Sequence, residues 1–399
     1  MPLLVPSLLH GLGQGAAAPV VVLLALEHGA SVPQAGLVAA TAGLGMLVGD
    51  VPSGWIISRL GERRAVAAST LIGVAGAVLS ALATRPDLIA VGVALVGLAT
   101  AVSMVARQNS VVEVVAYSHR GRALSAVAAS MRAGLLLGPF LGAALVAAAG
   151  PEGGLWLQAA ALAVAGALMM CVPDATPRGS GGEGVTMVAV RHARVLTRVG
   201  SGAMVLGVCR TCRTAVLPLW AAHIGLDAVA TSVVFGIGGA VDLLVSLPAG
   251  RALDTIGRVP VAVASTTVFA AGALLLPLAN GAVSVAAVSV VLGAANGLSN
   301  GLLMTLGADL APPGDRVAFL GLWRVAHDSG TVVGPLVVAG VTATAGLAAA
   351  SLASGGLAAA GAVIFARVVP RYLPRRTSDH GDDNRCPAVL PADTIPSTT

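Results

Sequence analysis

Ionisable side chains lie within long apolar runs of this chain, and they are its strongest candidates for chemistry. Arg210 and Arg213 are three residues apart in one run, and Asp242 lies in the next run along the chain. A carboxylate beside a guanidinium forms an ion pair, and a proton bound to that carboxylate weakens the pair. The sequence therefore predicts that Asp242 pairs with one of these arginines. The pair is either a structural salt bridge or part of a site that exchanges a proton.

A second group lies farther along the chain. Arg324, His327 and Asp328 have the spacings of three and four that place side chains on one face of a helix. Asp328 is the other candidate for proton exchange. Further polar residues in the apolar runs are candidates for the same pathway: Gln14, Arg132, Asn296 and Asn300. Four more ionisable residues lie closer to the ends of their runs, where they reach water or lock helix packing: Asp50, Arg107, Glu113 and Asp309.

The composition requires lipid around most of the chain. Hydrophobic residues make up 56% of the 399 residues and charged residues 10%, against about 25% charged in a typical soluble protein. A membrane helix needs about 20 mostly apolar residues, and the chain contains twelve such runs, which do not alternate like barrel strands. They lie near 4–26, 34–57, 65–84, 88–110, 124–147, 154–172, 201–222, 229–249, 259–279, 283–305, 318–342 and 347–369.

The 23 basic residues are all arginine, and their placement orients the chain. Seventeen fall in alternate loops and in the tail, whereas the opposite loops contain only Arg85. Loops rich in Lys and Arg face the cytoplasm, which predicts that both termini and the mid-chain linker are cytoplasmic. The same placement argues against a nucleic-acid partner, despite the formal net charge of +5.

The chain repeats itself at an offset of 196 residues. Because each half has six predicted helices, an even number, both halves enter the membrane from the same side. The expected fold class is an all-α membrane protein with twelve transmembrane helices in two parallel six-helix repeats. At this offset, Gln14 aligns with Arg210, and Arg132 aligns with Asp328. Other coinciding pairs are Gly29 with Gly225, Pro52 with Pro248, Gly61 with Gly257, Pro139 with Pro335 and Gly150 with Gly346.

Four segments follow from this layout. They are an N-terminal six-helix bundle (1–172), a cytoplasmic linker (173–200), a C-terminal six-helix bundle (201–370) and a disordered cytoplasmic tail (371–399). The first part of the linker is flexible by composition. Its second part, from residue 185, is either a short basic helix on the inner leaflet or a solvated tether.

Two motifs resemble those of the major facilitator superfamily of secondary transporters, and the resemblance extends from about residue 4 to 370. The loop after the second helix resembles the family's signature, with Ser58 in place of the usual acid. The second half repeats the loop, with Thr255 in place of the first basic residue. The matching positions are Gly54, Arg59, Gly61, Arg63 and Arg64, then Gly250, Asp254, Gly257 and Arg258. These loops are expected to act in gating, with Gly54 and Gly250 allowing a neighbouring helix to approach closely.

The fifth helix contains Gly134, Gly138 and Pro139, which resemble a motif of the drug/proton antiporter branch. The eleventh helix echoes it with Gly334 and Pro335. Because proline lacks an amide donor, both motifs are expected to act as hinges. The branch also has a mid-membrane arginine in its fourth helix, where this chain has the apolar stretch 94–102.

These features favour a multi-pass secondary transporter of the cell membrane, working by alternating access, and not an enzyme. The favoured mode is proton-coupled efflux of a small, moderately apolar molecule or drug by a monomer in the lipid bilayer. Uptake or uniport of a polar metabolite is the alternative within transport, and a non-transporting sensor or scaffold is a third. No cofactor or metal is expected, because the C-x-x-C of Cys209 and Cys212 lies inside an apolar run, where small residues favour a helix contact.

Overall fold

The chain is helical throughout its described parts. The computed structural model describes residues 3–114, 120–171, 185–312 and 316–372, and no strand occurs in these ranges. The helices are α1 (Leu4–Glu27), α2 (Val32–Leu60), α3 (Glu62–Leu82), α4 (Pro86–Val114), α5 (Arg120–Ala149), α6 (Gly153–Met170), α7 (Val185–Arg191), α8 (Ala193–Arg198), α9 (Gly200–His223), α10 (Ala228–Thr255), α11 (Arg258–Leu275), α12 (Ala282–Ser299), α13 (Leu302–Leu310) and α14 (Arg316–Arg367). The first part of the predicted linker and nearly all of the predicted tail lie outside the described residues.

The described helices account for twelve membrane crossings. Eleven described segments are long and apolar enough to span a bilayer. One of them, Phe319–Arg371, is 53 residues long, which is about 80 Å as a helix against a hydrocarbon core of about 30 Å. Its helix α14 is interrupted at Gly346, where φ is +86°, so this segment contributes two crossings. The predicted fold class is confirmed: an all-α membrane protein of twelve helices in two parallel six-helix repeats.

The repeat is visible in the turns between helices. Three pairs of glycines at the 196-residue offset adopt positive φ in both copies, a conformation that glycine reaches without steric cost. The pairs are Gly29 with Gly225 (86° and 81°), Gly61 with Gly257 (80° and 110°) and Gly150 with Gly346 (83° and 86°). The glycine matches in the sequence therefore mark the same backbone turns in the two halves.

Within each half, glycines bring two helices into close contact. A Cβ atom on Gly134 of α5 would collide with the carbonyl oxygen of Leu8 in α1. The equivalent atom on Gly330 of α14 would collide with the carbonyl oxygen of Met204 in α9. Small residues at such crossings are how membrane helices associate, so both halves are assembled around the same type of crossing.

The two halves join at one end and separate at the other. A single buried apolar cluster includes Ala25 of the N-terminal half together with Leu219 and Val338 of the C-terminal half. At the end with the basic loops, the buried residues form separate clusters, one containing Ile57 and another containing Leu253. Among the described residues, the buried apolar cluster that both halves share lies at the other end, which indicates a space that opens toward the basic loops.

The second part of the predicted linker folds into α7 and α8. Val188 of α7 is 1% exposed and belongs to the buried cluster of the C-terminal half, with Phe319 and Trp323. His192 meets the edge of the Phe319 ring, with centroids 5.9 Å apart. This part of the linker is thus anchored to the C-terminal half.

Candidate functional site

A hydrogen-bonded network connects Asp242 of α10 to Arg210 of α9 through two asparagines. The Nδ2 of Asn296 donates to Asp242 Oδ2 at 2.5 Å, and the Nδ2 of Asn300 donates to Asp242 Oδ1 at 2.6 Å. Arg210 donates from Nε to Asn296 Oδ1 at 3.1 Å and from Nη2 to Asn300 Oδ1 at 3.0 Å. The two amides therefore link the positive guanidinium to the negative carboxylate.

The chain breaks its tenth crossing at this network. A continuous helix is predicted over 283–305, but α12 ends at Ser299 and α13 begins at Leu302, with Gly301 at φ +84° between them. Asn300 lies in the break, and its side chain points back to Arg210 and Asp242. Residue Val105, at the equivalent position of the first half, lies inside the continuous helix α4. The break is therefore particular to the second half, and broken helices at polar sites are a feature of transporters.

The expected direct ion pair between Asp242 and an arginine does not form among the described residues. The asparagine amides occupy both carboxylate oxygens, which leaves the arginines at longer range. Arg213 is 5% exposed, and its Cζ lies 4.9 Å from the centroid of the Phe235 ring. The Nε and Nη2 of Arg213 have no hydrogen-bond partner within the described ranges. The face of the Phe235 ring and the nearby charge of Asp242 offset the cost of burying the Arg213 guanidinium.

The opposite half contributes Arg132 of α5 to this region. Arg132 lies within Coulombic range of both Arg210 and Asp242. In the described parts of the chain it forms no hydrogen bond or ion pair. The structure therefore brings together six of the predicted site residues, one of them from the other half: Arg132, Arg210, Arg213, Asp242, Asn296 and Asn300.

The second predicted group forms its own cluster on α14. The Asp328 carboxylate lies 2.9 Å from His327 Nδ1 through Oδ1 and 3.6 Å from Arg324 Nε through Oδ2. Arg324 also reaches across to the other half, where its Nη2 lies 2.9 Å from the sulfur of Met104 in α4. The spacing of three and four thus places these side chains together, as the sequence predicts.

Asp50 of α2 belongs to this cluster, which the sequence did not indicate. Its carboxyl lies within hydrogen-bonding reach of the Asp328 carboxyl, and the two residues come from opposite halves. The Oδ2 atoms of both are buried without a hydrogen-bond partner among the described residues. The neighbouring part of the contact is tight, because a Cβ on Gly43 would lie 2.7 Å from the carbonyl oxygen of Thr331. Two carboxyls therefore face each other where the halves meet.

Gln14 lies apart from these clusters. Its Nε2 is 3.4 Å from the Nε2 of His10, on the same helix. His10 is 3% exposed and lines a small cavity inside the N-terminal half together with Arg107, which is 5% exposed. Arg107 is therefore buried in its bundle and does not extend to the aqueous boundary.

Both signature loops fasten helix ends. Arg63 at the start of α3 donates to the carbonyl oxygen of Met170, the last residue of α6, from Nε at 2.9 Å and from Nη2 at 2.5 Å. Arg258 at the start of α11 donates to Asp309 Oδ2 at 2.7 Å and to the carbonyl oxygen of Leu253 at 3.1 Å. The basic loop thus contacts a helix C-terminus in one half and an acid in the other.

The described surroundings of Gly250 show no close approach of a helix in this conformation. A Cβ there would meet none of the described atoms within 4 Å, so the expected approach of a neighbouring helix is not seen among the described residues. Gly54 lies in α2, and its contacts are not among those that the structure describes. Arg59 and Arg64 are exposed, and Asp254 lies 3.9 Å from Arg258.

The predicted hinge positions lie in the close crossings. A Cβ on Gly138 would collide with the carbonyl oxygen of Leu12, and one on Gly334 with the hydroxyl of Thr211. Pro139 and Pro335 lie inside α5 and α14 without ending either helix. Their bending role stays a prediction.

The C-x-x-C lies in the same contact of the second half. Cys209 and Cys212 are buried free thiols, and the Cys212 Sγ donates to the carbonyl oxygen of Gly334 at 3.6 Å. Within the described ranges, no group of three His, Cys, Asp or Glu residues is placed to hold a metal ion. The contact supports the interpretation of these cysteines as packing residues.

A twelve-helix bundle in two parallel repeats, with polar clusters where the repeats face each other, defines the class of alternating-access membrane transporters. The chain belongs to the Major Facilitator Superfamily, since that family's model matches residues 3–198 and again 199–390. Membership makes it a membrane transporter of small molecules and not an enzyme.

Solved structures of similar fold include three transporters. The nucleoside transporter NupG has a TM-score of 0.73 at 15% identity, covering 93% of this chain and 98% of that one. A D-xylose-proton symporter has a TM-score of 0.73 at 16% identity, covering 94% and 97%. A POT family transporter in complex with a thioalcohol conjugated peptide has a TM-score of 0.78 at 10% identity, covering 93% and 96%. Identities this low establish the fold alone. No curated protein matches the chain.

Proposed function

We propose that this transporter exchanges protons for a small molecule and exports that molecule by alternating access. The observation that supports it most directly is the meeting of Asp50 and Asp328 at the contact between the halves. Each has a buried oxygen without a hydrogen-bond partner among the described residues. One proton shared between the two carboxyls supplies that missing bond and removes the repulsion between two negative charges.

Asp242 is the weaker candidate for the proton. Both of its oxygens already accept hydrogen bonds from the amides of Asn296 and Asn300. A proton on either oxygen would place a donor against an amide N–H. Those amides cannot turn round to compensate, because their own oxygens accept from Arg210. We therefore assign the proton to the Asp50–Asp328 pair and the substrate to the region around Asp242.

The shared proton biases the contact between the halves. With the proton bound, the two carboxyls attract each other and Asp328 holds Arg324 less strongly. Without it, two carboxylates face each other across α2 and α14, which favours separation of the halves at this point. A group whose charge alters the relative energies of two conformations shifts their populations, and this links proton transfer to alternating access.

Two observations favour export. The α5 motif of Gly134, Gly138 and Pro139 resembles that of antiporters. The space between the halves opens toward the basic loops, which the arginine distribution predicts to be cytoplasmic. We place the protein in the cell membrane as a monomer, with both termini cytoplasmic. In this proposal the signature loops gate the cytoplasmic end, and the glycine-proline segments of α5 and α14 act as hinges.

Inside-out vesicles from a host without its own exporters test the proposal. The vesicle interior is acidified, and a panel of compounds is added while a pH-sensitive dye reports the release of protons. We expect at least one compound to dissipate the gradient with the native chain but not with Asp328→Asn. The matched control is Asp87→Asn, because Asp87, in the first turn of α4, forms an exposed ion pair with Arg85 at 2.9 Å. Undiminished proton exchange in Asp328→Asn, at native expression, contradicts the assignment.

A further inference from the structure

The region around Asp242 has an excess of positive charge. Arg132, Arg210 and Arg213 lie within Coulombic range of one another or of Asp242, which is the carboxylate that they share. Three guanidiniums and one carboxylate leave a formal excess of two positive charges. Guanidiniums stay protonated at physiological pH, so the three positive charges persist there.

Two of these guanidiniums have donors without a hydrogen-bond partner among the described residues. Within the described ranges, Arg132 makes no hydrogen bond or ion pair. The Nε and Nη2 of Arg213, whose side chain is 5% exposed in total, have no hydrogen-bond partner there. Arg210 uses Nε and Nη2 on neutral amide oxygens of Asn296 and Asn300. The donors are therefore positioned without being neutralised, and a buried unpaired charge is costly.

We propose that the transported molecule is a small organic anion, recognised by its carboxylate. This inference rests on the proposed function in so far as it calls the anion the transported molecule. Its electrostatic basis does not depend on the direction of transport or on proton coupling. A carboxylate accepts paired donors from guanidinium groups with matching geometry. A cation in the same place would meet three like charges with one carboxylate already bound by two amides.

The position of the arginines also explains how such an anion acts on the conformation. Arg132 belongs to α5 of the N-terminal half, whereas Arg210 and Arg213 belong to α9 of the C-terminal half. An anion between them contacts both halves at once and reduces the repulsion between their positive charges.

Matched pairs of ligands test the charge directly. The full chain, in lipid nanodiscs, is titrated with benzoate, phenylacetate, salicylate and octanoate, each against its own carboxamide, and with tetraphenylphosphonium as an organic cation. Thermal unfolding reports binding. We expect at least one carboxylate to raise the midpoint of thermal unfolding. Its carboxamide should need at least about tenfold higher concentration for the same rise, and the cation should cause none.

Variants of Arg132 assign the binding to this region. Arg132 is only partly buried, and in the described parts of the chain it forms no hydrogen bond or ion pair, so its replacement leaves no described hydrogen-bonding group unpaired. We expect Arg132→Gln to weaken carboxylate binding about tenfold or more and Arg132→Lys to restore part of it. Arg85→Gln, in the exposed loop pair with Asp87, serves as the control and binds like the native chain.

Several results overturn the inference. They are equal binding of acid and amide, binding of the cation alone, no effect of any carboxylate, or native binding by Arg132→Gln. These are separable from failure of the proposed function. Carboxylates that bind without releasing protons from acidified vesicles leave the anion site intact and remove proton coupling. An organic cation that binds and releases protons from the vesicles supports the proposed proton exchange and contradicts the anion site.

Discussion

The same substitution at Asp242, which is partly buried, and at Asp328, which is buried, is expected to have opposite consequences. In Asp242→Asn, one of the two carboxylate oxygens becomes an NH₂ group facing the amide N–H of Asn296 or Asn300. Rotating that asparagine removes the clash but points its NH₂ at Arg210. At least one hydrogen bond is lost in either arrangement, and a bond to a charged group contributes about 1.5–3 kcal/mol.

In Asp328→Asn, the new side chain keeps an oxygen for His327 Nδ1, at 2.9 Å in the native chain. Its NH₂ is a donor for the unpartnered oxygen of Asp50. The weak attraction of Arg324, at 3.6 Å, is lost, but so is the repulsion between two carboxylates. We therefore expect these gains and losses largely to cancel in the free energy of unfolding, together with loss of proton coupling because this asparagine imitates the protonated state.

Equilibrium unfolding in mixed micelles, titrated with sodium dodecyl sulfate, measures both differences. Asp242→Asn should be less stable than Asp328→Asn by about 1 kcal/mol or more. Asp87→Asn, at an exposed ion pair in the first turn of α4, should differ from the native chain by no more than about 1 kcal/mol. Equal losses for the two variants, or a native stability for Asp242→Asn, would refute the hydrogen-bond reasoning for both sites.

Three further predictions concern the backbone and the loops. Gly330→Ala should destabilise the protein by about 1–3 kcal/mol, because the new methyl group collides with the Met204 carbonyl. Gly250→Ala, which meets no described atom, should be neutral or stabilising by about 0.5–1 kcal/mol. Thermal unfolding in detergent compares the two variants, and equal effects would contradict the packing. Gly301→Ala, at φ +84°, should lower the free energy of unfolding by about 1–2 kcal/mol. It should also weaken carboxylate binding in nanodiscs, because the helix break positions the Asp242 network. Unaltered binding would show that the break does not position the site. Arg63→Gln removes the donor to the end of α6 and should lose about 0.3–1 kcal/mol at low salt, a difference that fades as salt is added if the contact is electrostatic.

Much of the fold is predictable from the sequence, because the signals are local and occur twice. Apolar runs of membrane length identify the helices. The 196-residue offset identifies the turns at Gly29 and Gly225, since only glycine reaches that backbone conformation without strain. Likewise, the spacing of Arg324, His327 and Asp328 predicts one cluster on one helix face, because a helix has a fixed period.

The contacts between distant helices are not predictable in this way. Asp50 and Asp328 meet across the two halves, and neither residue has a local signal for the other. The sequence also predicts a direct ion pair for Asp242, since it gives no reason to expect that Asn296 and Asn300 occupy both oxygens. The break at Gly301 has no counterpart in the first half, so the repeat does not reveal it.

The most direct test of the account is the distance between the cytoplasmic helix ends as the Asp50–Asp328 pair gains and loses a proton. Leu60 and Ile256 are equivalent positions at the ends of α2 and α10, and they are 47% and 65% exposed. Spin labels on Leu60→Cys and Ile256→Cys report this distance by pulsed electron paramagnetic resonance. Cys171, the exposed thiol of the described residues, and Cys386 of the tail are replaced by serine so that they take up no label. The account predicts that the distance distribution shifts between mildly acid and mildly alkaline solution in the native background, and that Asp328→Asn gives the acid distribution at both. A distribution that does not respond to pH, or that still responds in Asp328→Asn, would contradict it.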